Sequence, residues 1–182
     1  MPSKNLIILF GGRSVEHEIS VRSATNVVKY IDPTHFNLSV IGISKGGNWF
    51  LLDHPEQGIE TGKEISLFLS ATHPHFEVKA SHESTAIQIV FPVLHGTDGE
   101  DGTIQGLLQS LNVILIGSSV LGSAISMDKI VSKKLLEHAG VPVVPYMSFT
   151  KKEEISFDKI KNKLGLPFIV KAGNLGSSVG IS

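Results

Sequence analysis

The sequence predicts an α/β fold built on a parallel, doubly wound sheet. Three observations carry that reading. Residues 6–10 and 87–94 are dominated by apolar side chains that do not alternate with polar ones, as in strands covered on both faces. Glycine-rich turns follow these runs, and amphipathic helical stretches follow the turns. The β-α-β alternation recurs as far as residue 117.

Residues 6–10, Leu-Ile-Ile-Leu-Phe, form the first strand, which Gly11-Gly12 stops. Val21, Ala24, Val28 and Ile31 then recur at three- and four-residue steps until Asp32-Pro33 ends the helix. A second strand at 37–44, the turn Lys45-Gly46-Gly47-Asn48 and a short strand at 49–52 predict a hairpin at a sheet edge. Residues 53–86 mix Pro, His, Glu and Ser with little periodicity and predict a variable, partly looped segment. A strand at 87–94, a loop from His95 to Gly102, a helix at 103–110 and a strand at 113–116 complete a first domain, residues 1–118. A second unit, residues 119–182, opens with helical stretches at 120–127 and from 129. The latter is expected to bury Ile130, Val131, Leu135 and Leu136 and to end at Gly140, with Pro142 just beyond. Residues 146–150 and 168–171 read as strands flanking a lysine-rich helix.

Composition narrows the function classes. Of 182 residues, 41% are hydrophobic and 18% charged, as in an ordinary globular protein, so folding needs no partner. A formal net charge of -1 gives no electrostatic reason to expect nucleic acid or an anionic membrane. The absence of cysteine excludes disulfides, thiolate metal sites and a cysteine nucleophile. No apolar run approaches the roughly 20 residues of a membrane-spanning helix, and the N-terminal run is too short for a secretory signal. A cytoplasmic protein is expected.

Three stretches carry chemistry. In residues 168–180 a buried strand delivers Lys171 and then the loop Gly173-Asn174-Leu175-Gly176-Ser177-Ser178-Val179-Gly180. Such a loop can turn several backbone N–H groups toward one anion, the lysine adds a point charge, and Ser177 and Ser178 add hydroxyl donors, so a polyphosphate suits it. The lysine precedes the loop, which separates it from the P-loop pattern; a plain Gly/Ser hairpin is the alternative. The strand-to-helix turn Gly11-Gly12-Arg13-Ser14-Val15-Glu16-His17-Glu18 lacks a dinucleotide fingerprint and carries carboxylates where phosphate would otherwise bind. Such a crevice suits an ammonium group; the alternative is that Glu16 or Glu18 only complements the helix dipole. In the third stretch, 95–102, His95 is placed to hydrogen-bond a substrate or a carboxylate, whereas Asp98 and Asp101 read as solvated turn acids. His73-Pro74-His75 with His82 has no defensible metal-ligand spacing. Lys129, taken alone, reads as an exposed helix charge.

Taken together, Gly11-Gly12-x-Ser14-x-Glu16-His17-Glu18-x-Ser20, His95-Gly96-x-x-Gly99-Glu100-Asp101-Gly102, Ser126-Met127-Asp128-Lys129 and Gly176-Ser177-Ser178-x-Gly180 resemble the D-alanine:D-alanine ligases, an ATP-grasp family. The resemblance implies a Rossmann-like (pre-ATP-grasp) first domain followed by the start of an ATP-grasp domain. It also implies ATP-dependent joining of two D-alanines through an acyl phosphate, for peptidoglycan synthesis. Glu16 resembles the acid that holds the first D-alanine's ammonium and His95 a histidine beside that subsite. Lys129 and Lys171 resemble lysines that touch ATP phosphates, with Ser177 and Ser178 in the loop that covers them and Ser177 linked to Glu16 through a tyrosine on a later loop. ATP and Mg2+ are the implied cofactors, D-alanine the substrate and a homodimer the assembly. The family's magnesium ligands and oxyanion arginine match nothing here, so they are expected beyond Ser182 and the 182 residues alone are expected to be inactive. Ala172 departs from the family, which usually has proline there.

Three other readings stand beside this one. They are a ligase of other specificity, such as the D-alanyl-D-lactate type, a noncatalytic fragment that binds a D-amino acid or a partner chain, and a nicotinamide-dependent dehydrogenase. The missing fingerprint counts against the last.

Overall fold

In the computed structural model, which describes residues 4–150, 153–175 and 182, eight strands form one sheet. Strand β1 (Lys4–Gly11) leads into helix α1 (His17–Tyr30), and the chain returns as β2 (Phe36–Ile43), parallel to β1. Strands β3 (Trp49–Leu52), β4 (Lys63–Phe68), β5 (His75–Val78) and β6 (Ser84–Ala86) then extend the sheet outward, each antiparallel to the one before. The chain crosses back to lay β7 (Ile89–Pro92) parallel to β1 on its other side. Helix α2 (Thr103–Ser110) then carries it to β8 (Ile114–Leu115), parallel to β7. The order is β6-β5-β4-β3-β2-β1-β7-β8.

Why β1 sits at the centre follows from its sequence. Successive side chains on a strand point to opposite faces, so a run that is apolar at every position needs cover on both. Leu6, Ile8 and Phe10 join Ala24 of α1 in one cluster, while Ile7 and Leu9 join Ile104 and Leu108 of α2 in another. Ile8 and Phe10 are fully buried, and each such side chain contributes roughly 1.5–3 kcal/mol relative to exposure.

The sheet is mixed rather than parallel throughout, and two expectations change with it. The β2-β3 hairpin lies inside the sheet, and residues 53–86 hold three strands and two single 3-10 turns, Pro55–Gln57 and Ile59–Thr61. Their order comes from a few alternating side chains: Ile65, Phe76 and Val78 enter the same cluster as Ile7 and Leu9.

Beyond residue 118 come α3 (Val120–Met127), α4 (Lys129–His138) and the lysine-rich α5 (Phe157–Leu164). Asp128 caps α4, its Oδ1 accepting from the backbone N–H groups of Ile130 and Val131 at 2.9 and 3.0 Å. Gly140, at φ 74°, ends it: the N–H of Gly140 donates to the Glu137 carbonyl and that of Val141 to the Leu136 carbonyl, the paired closure of a Schellman motif. The expected burial of this helix is not found. Val131, Leu135 and Leu136 are exposed and Ile130 is half-buried, because no described element lies over the apolar face. Residues 146–150 do not form a strand, having no sheet neighbour among the described residues. Of 168–171, Lys171 lies in an isolated β-bridge and Val170 exchanges two backbone hydrogen bonds with Ser182, at 2.8 and 3.0 Å.

Candidate functional site

Strand order reverses at β1: β2 follows it on one side and β7 lies on the other. In an open sheet with parallel strands, the crevice outside the carboxyl ends at such a reversal is where ligands bind. The turn 11–16 leaves β1 there, and the loop 95–102 follows β7 into the same place.

Serines clasp the two together. Ser20 Oγ accepts from the Gly11 N–H at 2.8 Å and donates to the Val93 carbonyl at 2.6 Å. Ser14 Oγ donates to the His95 carbonyl at 2.7 Å and accepts from the Glu16 N–H at 3.1 Å. The His17 ring Nδ1–H donates to the Gly12 carbonyl at 2.6 Å. Gly11 has φ 86°, and a Cβ there would come within 2.4 Å of the Ile43 carbonyl oxygen, so only glycine fits this exit from the strand.

The two acids of the turn have opposite surroundings. Glu18 is exposed and paired with Lys45 at 2.8 Å; that hydrogen bond and charge hold its carboxyl below the usual range. Glu16 is only 3% exposed, and no described residue hydrogen-bonds its carboxylate. Although it sits at the first position before α1, its side chain does not cap the helix. A carboxylate on a nearly enclosed side chain, with no partner among the described residues, is complementary to a cation that arrives with its own N–H donors. Gly96 lies directly against it, and a Cβ on Gly96 would come within 2.4 Å of Glu16 Oε2.

His95, half-buried, has Nε2 3.0 Å from Ser23 Oγ on α1. Asp98 and Asp101, expected to be solvated, both have partners. Asp98, at φ 68°, pairs with Arg13 at 2.7 Å between exposed side chains. Asp101 accepts from the backbone N–H groups of Asp98 and Thr103 at 2.9 and 3.0 Å. Partial burial by itself would raise the Asp101 carboxyl, but these hydrogen bonds outweigh it and hold the group below its ordinary value.

Lys129 is half-buried, not a free helix charge. Its backbone N–H donates to the Gly173 carbonyl at 3.1 Å, and its ammonium reaches the carbonyls of Gly173, at 3.4 Å, and Leu175. It therefore lies against the start of the segment that follows Lys171, whose own side chain is exposed. Ser177 and Ser178 lie outside the described residues. A cavity of about 470 Å³ has Leu94, Gly99 and Glu100 on one wall and Met127 and Lys129 on the other, so the loop at the crevice and this lysine border one space. Among the described residues no three His, Asp or Glu side chains converge as a metal site.

Sequence reasoning missed the serine clasps, the close approach of Gly96 to Glu16, and Gln105, which donates from α2 to the Gly99 carbonyl at 2.7 Å. The Ser14, Ser20 and Gly96 positions within the quoted motifs were the available signal. Gln105 offered none beyond its place on the apolar side of a helix.

The family model described as D-ala D-ala ligase N-terminus matches residues 5–118, and that described as D-ala D-ala ligase C-terminus matches residues 135–182. A D-alanine--D-alanine ligase of Oceanobacillus iheyensis is 41% identical over 98% of this chain and 52% of its own length. The solved D-alanine-D-alanine ligase of Coxiella burnetii superimposes with a TM-score of 0.86 at 33% identity, covering 100% of this chain and 54% of that one. The VanG D-Ala:D-Ser ligase of Enterococcus faecalis does so with a TM-score of 0.82 at 30% identity, covering 99% and 55%. The chain spans about half the length of the curated relatives it matches.

Proposed function

The chain belongs to the D-alanine–D-alanine ligase family, and on that premise we propose that it supplies the amino-acid-binding part of an enzyme that joins two D-alanines at the expense of ATP. The observation that carries this reading is Glu16 at the strand-order reversal, a residue only 3% exposed whose carboxylate has no hydrogen-bond partner among the described residues. It holds the ammonium of the first D-alanine, with His95 beside it. Residues 1–118 form the substrate domain, and 119–182 open the ATP-grasp domain.

Lys129 and Lys171 meet ATP phosphates from the second unit, and Ser177 and Ser178 close over them. Residues 129 and 173–175 fit that part, since a lysine ammonium is already turned toward the start of a glycine loop. Neutralising phosphate and fixing its position is what these residues supply. Among the described residues no three His, Asp or Glu side chains converge to hold Mg2+, and we propose that its ligands lie outside them. In the reaction, the first D-alanine's carboxylate takes the γ-phosphoryl group of ATP. The amine of the second D-alanine then attacks the resulting acyl carbon, forming the peptide bond and releasing phosphate.

The product serves peptidoglycan synthesis in the cytoplasm. A homodimer is the proposed assembly, to be read from light scattering. Among the described residues no helix is long and apolar enough to cross a membrane.

The test is ADP release by the intact protein. Release is expected with D-alanine and not with L-alanine; none above background with D-alanine would overturn the reading. D-lactate and D-serine offered as second substrate resolve the specificity. The isolated 182 residues are expected to show no turnover.

A further inference from the structure

Gln105 is 7% exposed on the inner side of α2, between the apolar Ile104 and Leu108. Its amide is used by half. The Nε2–H donates to the Gly99 carbonyl at 2.7 Å, while Oε1 is buried and has no hydrogen-bond partner. A residue kept to fill the core would be better served by leucine, which carries no acceptor to desolvate. The donor half is therefore what the position is kept for.

What it holds can be traced bond by bond. Gly99 sits so tightly on Leu94 that a Cβ would come within 2.5 Å of the Leu94 Cβ. The N–H groups of Gly99 and Glu100 donate to the Gly96 carbonyl at 3.2 and 2.9 Å, and Glu100 Oε2 accepts from the Gly96 N–H at 2.7 Å. Gly96 in turn lies against the Glu16 carboxylate. We propose that Gln105 is a positioning residue: by gripping the Gly99 carbonyl it fixes the loop 95–100 so that Gly96 is pressed onto Glu16, which sets the shape of the ammonium subsite. This rests on the function proposed above for Glu16, and the experiment separates the two.

In the intact protein, Gln105→Leu removes the donor together with the unsatisfied acceptor. Because the buried Gly99 carbonyl loses its donor, the melting temperature is expected to hold or fall by a few degrees, while amide hydrogen exchange at Gly96 and Glu100 speeds up by about 10-fold and exchange in β1 and α1 does not change. The KM for the first D-alanine is expected to rise by about 10-fold with the KM for ATP unchanged. Gln105→Met, which keeps the length of the side chain and lacks the donor, should move the exchange rates and the D-alanine KM in the same direction and serves if the leucine variant does not fold. Unchanged exchange at Gly96 and Glu100 overturns the proposal whether or not D-alanine is the substrate. So does a lower melting temperature with both KM values unchanged, which is the behaviour of a core filler.

Discussion

The residues before 118 and those after it are built to different degrees of completeness. In the first region every face of the central strands is covered, and the polar groups of the crevice are tied to one another by Ser14, Ser20, Asp101 and Gln105. In the second, Ile160 is the one apolar side chain buried among the described residues, and Val131, Leu135 and Leu136 lie open. The amino-acid recognition and phosphate gripping proposed above thus rest on unequal foundations. The first is preorganised by its own domain. The second, as far as Lys129 and residues 173–175 carry it, depends on one lysine held against backbone carbonyls. Changes in the first region should therefore alter stability or amino-acid affinity sharply, and equivalent changes in the second should barely alter the stability of this chain.

The largest expected effect is on Glu16. Glu16→Gln keeps the shape and removes the charge, so an arriving ammonium loses its counter-ion in a buried place. A loss of about 3 kcal/mol or more follows, on the order of 100-fold in kcat/KM for D-alanine. Equal kcat/KM for the variant and the parent would mean that Glu16 only serves the helix end.

Next comes the central strand. Ile8 is fully buried, and Ile8→Ala is expected to destabilise the chain by about 2–5 kcal/mol in urea unfolding, the transfer loss plus the cavity left behind. A cost under about 1 kcal/mol would show that the sheet collapses around the gap and is less rigid than its cover implies.

A smaller effect concerns pH. Asp101 is held below its ordinary value by the N–H groups of Asp98 and Thr103. A depressed carboxyl contributes stability that is present above its unfolded value, about 3.9, and is lost as pH falls through the folded value. Unfolding followed between pH 6 and 3 should therefore show the parent losing stability in the acid range and Asp101→Asn losing less of it. Parallel curves would remove Asp101 from the account.

Much of the first region was legible in the sequence, for identifiable reasons. β1 and α1 follow from a strand apolar on both faces and from Val21, Ala24, Val28 and Ile31 at helical spacing. Strands β4 to β6 were not legible, because each is three to six residues long and sends at most two fully buried apolar side chains inward among His, Glu and Ser. Glu16 was legible as a residue but not as a buried one; the turn had two acids, and only the fold assigns Lys45 to Glu18. Asp101 and Gln105 were misread or missed because their partners are backbone groups of a loop that folds back on itself. In the second region the apolar stripe of α4 was read correctly as a pattern and wrongly as buried. A periodicity identifies a face that wants cover, and says nothing about whether cover is at hand.

That distinction gives the smallest expected effect. Leu136 is 42% exposed on α4, so Leu136→Gln removes little surface that the fold had taken from water, and glutamine is nearly as good a helix former as leucine. In the 182-residue chain the change should move stability by no more than about 0.5 kcal/mol, the range of ordinary surface substitutions. Set beside Ile8→Ala, it contrasts two aliphatic side chains of the same size, one covered and one open. A loss above about 2 kcal/mol would mean that this face is buried in solution, for instance against a second copy of the chain. The difference between the two regions would then be one of assembly rather than of folding. Repeating the melt over a hundredfold range of protein concentration separates these outcomes, since only a face buried between copies makes the midpoint depend on concentration.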